Sequence, residues 1–495
     1  MIHVKNTVLK KQHNFWNHCL FHPTDAVEDT WGRQILDKMA EDGSVRMVRL
    51  YTMFEDIVYL DEEGGLRYDF RVSDLRLDYM LEKGYDILLA YAGMPDCIAA
   101  STKVKTTVAK NKTRYKGKMW NTSPPRDYAL WEEICYEYTK HNVERYGIET
   151  VARWHCHCFN EPDGSFFLAH LPREEYMPRL EAYCKLYAAF ERGVRRVSDR
   201  IPIGGPATTS SGKCFDFVEG FLNYVRENGL KLDYVALHNY GTSPKGLNDG
   251  TAKICVENNL KKHRRFLEVI RKCGFEGVEV IVDEWGAASA GFYNMEECPD
   301  FIFRETEVYS AYFVKLIRGM IDLDPHVSKM MICLSGQHEM VTDFSGFRNF
   351  FTLNFIKKPI YNAYILASKL GENLLDVTCD RENVYVVPTE NERGEEAVLL
   401  SYSDAHFSEE IPTVSEEIVF EKDIADKTVS VWCIDREHTN PYCLYQQLGI
   451  ETPTAEELRI LRREGTLKPI LTQSGAEKLT LTLTPNSTYL ITVTA

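Results

Sequence analysis

An eight-stranded parallel α/β barrel, with an accessory C-terminal antiparallel β-sandwich, is the fold this sequence predicts from three observations. Short apolar, β-branched runs alternate with helix-length segments through the first three quarters of the chain, the order a (β/α)8 barrel requires. Two of those runs end in a carboxylate. The stretch Arg153 to Phe159 leads into Asn160-Glu161-Pro162, and Val278 to Asp283 leads into Glu284-Trp285-Gly286. Proline has no amide to give a ladder, so it ends the first run. Carboxylates so far apart in sequence meet only where a fold gathers many strand ends at one rim, as a closed parallel barrel does. Beyond Gly371 the period changes to short alternating segments split by polar turns, which is sandwich patterning.

The elements follow in order. Residues 1–12 hold an alternating stretch, Ile2-His3-Val4, read as a strand outside the barrel. Strand one is expected at 14–20 and strand two at 44–51, with a helix over 26–40 between them. After a Gly64-Gly65 turn, Leu75, Leu77, Met80 and Leu81 have helical spacing, stopped by Gly84. Strands three to eight are expected at 86–91, 150–159, 201–205, 232–238, 278–285 and 329–334. The helices between them fall near 126–146, 173–198, 213–228, 253–273 and 303–322, and a last one at 360–370 closes the barrel. The predicted domains are 13–370 and 371–495. The second contains one helix capped by Thr454.

Composition narrows the function. A chain of 495 residues with 44% apolar and 12% aromatic residues builds a sizeable core. A net charge of −15 argues against nucleic-acid binding, which needs a basic surface. Neither a signal-like apolar run nor a membrane-length window occurs. The fourteen cysteines show no paired spacing, so they read as reduced thiols in a cytoplasmic protein. His155-Cys156-His157-Cys158 invites a zinc site, but alternate residues of a strand face opposite ways. The two histidines share one face and the two cysteines the other, so four ligands cannot converge, and no metal or cofactor is expected. The lysine-rich excursion at 103–118 reads as a solvated loop.

An ordered set of motifs gives a resemblance. Val48-Arg49-Leu50-Tyr51, Tyr115-Lys116-Gly117, Ser123-Pro124-Pro125-Arg126-Asp127-Tyr128 and Trp154 ahead of Asn160-Glu161-Pro162 are followed by His238-Asn239-Tyr240 and Asp283-Glu284-Trp285. Lys357-Lys358-Pro359-Ile360-Tyr361-Asn362-Ala363 and Asp435-Arg436-Glu437-His438 then lead to Asn440-Pro441-Tyr442. Over nearly its whole length the chain resembles glycoside hydrolase family 39, the family of β-xylosidases and α-L-iduronidases. The resemblance implies a barrel with a β-sandwich that the N-terminal strand within 1–12 joins, and a retaining double displacement on a sugar, with the carboxyls about 5–5.5 Å apart. It makes Glu161 the general acid/base, its pKa raised by its neighbours, and Glu284 the nucleophile. Asn160 then binds the sugar 2-hydroxyl and Arg49 orients the nucleophile and keeps it ionised. His238, Tyr240, Tyr51, Trp285 and Glu339 complete the expected pocket, Trp285 as a sugar platform.

Three departures bear on the substrate. Tyr51 stands where the xylosidase pattern has histidine, strand eight lacks its usual tryptophan, and His157 replaces a glutamate. These changes are expected in the pocket walls. A retaining exo-glycosidase acting on small oligosaccharides or glycosides, foremost a β-xylosidase, is the leading function. The alternatives are a glycosidase of other specificity (β-glucosidase, β-galactosidase, arabinosidase or iduronidase-like), a non-catalytic carbohydrate-binding relative, and a zinc hydrolase. Neither nucleic acid nor membrane is an expected partner, and homo-oligomer formation is left open.

Overall fold

The computed structural model describes residues 1–21, 30–107, 119–291, 293–335, 339–475 and 478–495. Eight parallel strands close into a barrel in chain order: His18–Phe21, Met47–Tyr51, Asp86–Tyr91, His155–Cys158, Ile203–Thr208, Tyr234–Thr242, Glu279–Ala288 and Val327–Leu334. The eighth pairs with the first from Met331 opposite His18 to Leu334 opposite Phe21. The strands are buried on both faces, hence their continuous apolar runs. Met47, Leu88, Ala207, Tyr234, Ala236, Ile281 and Met331 fill the barrel axis. Gly204 is required there, since a Cβ would sit 2.4 Å from the Tyr234 ring.

Helices clothe the barrel because each carries one apolar stripe. Cys214–Glu227 buries Phe217, Val218, Phe221, Leu222 and Val225, three to four residues apart. Tyr128–Tyr146, Tyr176–Arg195, Val256–Lys272, Glu307–Leu323 and Pro359–Ala367 lie near their expected places. The first helix is described from Thr30 to Asp42, and residues 26–29 of its expected span lie outside the described set. Strand four is shorter than its pattern suggested. Gly147, at φ +79°, turns the chain out of Tyr128–Tyr146 into a one-turn helix, Ile148–Val151, whose amides bond back to Gly147. Only His155–Cys158 remains as strand. Of the lysine-rich excursion, Lys103 and Lys105 are described, Lys105 paired with Asp96 at 2.6 Å. Residues 108–118, including Tyr115-Lys116-Gly117, lie outside the described residues.

A second, mostly antiparallel sheet of nine strands follows the barrel. The N-terminal strand Ile2–Lys11 enters it, antiparallel to Asn373–Cys379 and parallel to Val414–Phe420. Alternation then builds two layers. Val387, Leu399, Ile434 and Leu490 join the barrel's outer core, against helices Glu307–Leu323 and Pro359–Ala367. Their neighbours Val386, Val398, Leu400, Val431 and Ile491 form a core within the second domain. Thr454 and Glu457 make a reciprocal cap on helix Ala455–Glu464. Among the described residues no helix is long and apolar enough to cross a membrane.

Candidate active site

The carboxyl ends of strands two, four, six and seven converge on one pocket. Strand four ends in a bend, with Phe159 at φ +64° and Glu161 at φ +43°. The Glu161 amide donates to Ala207 O of the neighbouring strand, and Gly164 N closes a turn onto Glu161 O, each at 2.9 Å. Asp163 fixes this limb to the next by accepting from Thr209 N at 2.9 Å and Thr209 Oγ1 at 2.6 Å. Burial pushes the Asp163 carboxyl up to about 6.

Arg49 is the hub. Its guanidinium, 0% exposed, donates through Nη1 to Glu284 Oε1 at 2.8 Å and through Nη2 to Asn160 Oδ1 at 2.7 Å. Nε donates to His157 Nε2 at 3.1 Å, and Nη2 pairs with Asp283 Oδ2 at 3.1 Å. Tyr51 OH lies 3.3 Å from Nη1 and 3.4 Å from Glu284 Oε1. On the other side Tyr240 OH donates to Glu284 Oε2 at 2.6 Å. Both oxygens of Glu284 are therefore held.

His238 bridges the two strand-end glutamates. Its Nδ1 is 2.9 Å from Glu161 Oε1 and 3.6 Å from Glu284 Oε2, and its Nε2 is 3.7 Å from Asp283. Burial opposes a charge on His238, yet Glu284, Asp283 and Glu161 raise it to about 10, so the imidazolium donates to Glu161. Burial likewise works against ionised Glu284, but His238, Arg49 and the Tyr240 hydroxyl hold it well below the usual carboxylate range. His157 is the opposite case. Burial and the neighbouring Arg49 push it down to about 3, so it is neutral and accepts from Arg49. One oxygen of Glu161 and one of Glu284 lie within 4.8 Å of each other.

Two consecutive residues of strand seven, Asp283 and Glu284, both touch Arg49, which strict alternation forbids. The ladder to strand six jumps from Val282 opposite Leu237 to Glu284 opposite His238, so a bulge at Asp283 turns both carboxylates inward. Asp283 was missing from the expected site for this reason. Trp285, expected as a sugar platform, faces the other way. It is 0% exposed and stacks on Phe313 of helix Glu307–Leu323, with ring centroids 5.7 Å apart. His157, expected in a pocket wall, lies beneath Arg49 with no exposure.

Glu339 is buried just past strand eight, beyond residues 336–338, which lie outside the described set. Two further residues at the site carried no periodic signal because they come from loops or the excursion. Trp120 packs by Tyr51 at 6.1 Å, and the Arg348 guanidinium lies 4.9 Å from the Tyr240 ring centre.

The alternation of residues 155–158 is as read. His155 faces the barrel axis beside Lys329 and Glu279, and His157 lies under Arg49, while Cys156 and Cys158 pack in the outer core. Glu161, His238 and Glu284 form one set of closely spaced donor atoms, and Cys433, Asp435 and His438 another. In the second, Asp435 already caps a turn, accepting from Glu437 N and from the amide and ring of His438.

Known proteins share this architecture. A β-xylosidase from Caulobacter crescentus superposes with a TM-score of 0.78 at 18% identity, covering 100% of this chain and 99% of that one. A bacterial orthologue of human α-L-iduronidase superposes equally well, at 0.78 and 16% identity, covering 100% of this chain and 83% of that one. At such identities the likeness concerns the fold. In sequence the chain is 25% identical to a beta-xylosidase of Caldicellulosiruptor saccharolyticus over 462 residues, 89% of this chain and 86% of that enzyme. It is 24% identical to an alpha-L-iduronidase of Canis lupus familiaris over 250 residues, 46% of this chain and 34% of that protein. The sequence profile of glycosyl hydrolases family 39 matches residues 1–474, and with so nearly the whole length matched, this chain belongs to that family.

Proposed function

We propose that this retaining glycoside hydrolase is an exo-glycosidase that removes terminal sugars from short oligosaccharides, β-xylosides foremost. In this reading Glu284 is the nucleophile and Glu161 the acid/base. The observation that carries it is the approach of the two carboxyls, with one oxygen of each within 4.8 Å of the other. A retaining pair sits about 5–5.5 Å apart so that one carboxylate reaches the anomeric carbon directly, whereas an inverting pair leaves room for water. The xyloside preference is drawn from the relatives named beta-xylosidase.

The contacts suit the two steps. Glu284, ionised and gripped by Arg49 and Tyr240, attacks the anomeric carbon while Glu161 protonates the departing oxygen. Glu161 then takes a proton from the water that releases the sugar. His238 engages Glu161 Oε1 and leaves Oε2 for this exchange. Asn160 accepts from Arg49 through Oδ1, which leaves its Nδ2 to donate to the sugar 2-hydroxyl in this reading.

The test uses nitrophenyl glycosides. Glu284→Ala should abolish turnover. Glu161→Ala should give a burst of nitrophenol from the β-xyloside, then a slow steady state rescued by azide as the glycosyl azide of retained configuration. A retained azide product from Glu284→Ala would exchange the two roles. Faster cleavage of another sugar in the panel would replace xylose.

A further inference from the structure

The carboxyl-terminal rim serves the reaction, but the opposite mouth of the barrel is charged too. A recess of about 850 Å³ opens where the strands begin, lined by His18, Arg46, Asp86, His155 and Lys329 together with Lys83 and Arg153. Four cationic side chains thus face one carboxylate, Asp86, on a chain whose net charge is −15.

Nearby carboxylates answer these charges only in part. Lys83 pairs with Asp37 at 2.8 Å, Lys329 with Glu279 at 2.8 Å and Arg46 with Asp86 at 3.3 Å. The Arg153 side chain has no ion-pair or hydrogen-bond partner among the described residues. His18 lines the recess at 6% exposure, and its ring makes no hydrogen bond among the described residues. Burial, with Lys329 and Arg46 beside it, pushes His18 well down, so it stays neutral and keeps an N–H to donate. Arg153 is exposed, so its charge costs little; what packing leaves unexplained is His18, whose buried Nδ1 has no hydrogen-bond partner among the described residues.

We propose that this recess binds a small oxyanion of the phosphate class. Arg46 and Arg153 supply planar forks that match phosphate oxygens, Lys83 and Lys329 add point charges, and His18 offers a neutral donor. The bland alternative is that the cations serve only the carboxylates already paired with them.

Titration of inorganic phosphate and of a sugar phosphate, followed by calorimetry and phosphorus NMR at constant ionic strength with chloride as control, separates the two. Saturable binding is expected, weakened about tenfold or more by Arg153→Glu and by Lys83→Glu, with parent activity on an aryl glycoside in both variants. Tighter binding of the sugar phosphate would identify an ester as ligand, and equal binding the free ion. The proposal is overturned if no binding appears below about 10 mM, if neither variant weakens it, or if phosphate competes with the glycoside.

Discussion

Replacing Arg49 with lysine keeps the positive charge and removes the fork. The guanidinium holds Glu284, Asn160, His157 and Asp283 at 2.7 to 3.1 Å simultaneously. A lysine ammonium has three donors radiating from one point and cannot span four acceptors divided between the ends of strands four and seven. Two bonds at least are lost, and hydrogen bonds to charged groups contribute about 1.5–3 kcal/mol each. If about 3–4 kcal/mol of this is expressed in the transition state, kcat/KM falls about 10²–10³-fold. Part of the loss should pass through Asn160, so a 2-deoxy substrate, already without that contact, should lose less than its parent. The pH profile adds a sign. Arg49 helps hold Glu284 below the usual carboxylate range, and with Glu284 as the proposed nucleophile activity needs it ionised. A looser cation lets that pKa rise, so the acid limb of kcat/KM moves to higher pH. An Arg49→Lys enzyme within threefold of its parent, with an unmoved acid limb, would refute the argument that Arg49 positions the nucleophile.

Three other outcomes are expected. Tyr240→Phe removes the 2.6 Å donor to Glu284 Oε2 and should lower kcat about 10–100-fold with little change in KM, read from steady-state rates. Trp285→Ala should cost about 3–5 kcal/mol of stability in denaturant melts and leave KM near parent, because the ring packs on Phe313; a sugar platform would show the reverse. His238, raised to about 10, contributes stability that is complete below its unfolded value of about 6.5 and is lost as pH rises through 10. His238→Asn should therefore flatten the fall in melting temperature across that window, and an unchanged alkaline slope would count against a charged His238.

Much of the barrel was legible because its strands are buried on both faces and bounded by turn residues, so their apolar runs stand out against amphipathic helices. Glu161 and Glu284 were legible as strand-end carboxylates, and Arg49 and Asn160 through motifs beside them. What escaped has physical causes. A bulge shifts facing by one residue without any mark in composition, and so hid Asp283. Trp285 was misplaced by adjacency: next to an inward Glu284, the pleat sends it outward. Ile148 to Trp154 looks extended, with its β-branched and aromatic residues, yet Gly147 opens a helical turn there that local pattern does not show. Trp120 and Arg348 reach the site from segments whose course depends on the whole fold.

The hydrogen-bond commitments also bear on which glutamate does which task. An acid that delivers a proton and later removes one from water needs an oxygen with no donor aimed at it. Glu284 has none to spare, because Arg49 Nη1 faces Oε1 and the Tyr240 hydroxyl faces Oε2. A proton on Oε1 would meet the Arg49 N–H, and one on Oε2 would require the Tyr240 hydroxyl to turn its own hydrogen away and accept. Arg49 cannot turn away without abandoning Asn160 and Asp283, and arginine does not deprotonate in a protein. Those donors suit a carboxylate that stays ionised until it attacks carbon. Among the described residues Glu161 is bonded only through Oε1, and its side chain retains 19% of its exposure. Proton exchange with solvent is open to it at the second oxygen. Exchanging the two roles would require Glu284 to be neutral in part of every turnover, forfeiting charge-assisted bonds from Arg49 and Tyr240 worth several times the thermal energy. Asp283 is buried beside them at a cost its charge offsets: without it Arg49 and His238 would each lose a counter-charge, and the grip on Glu284 would weaken.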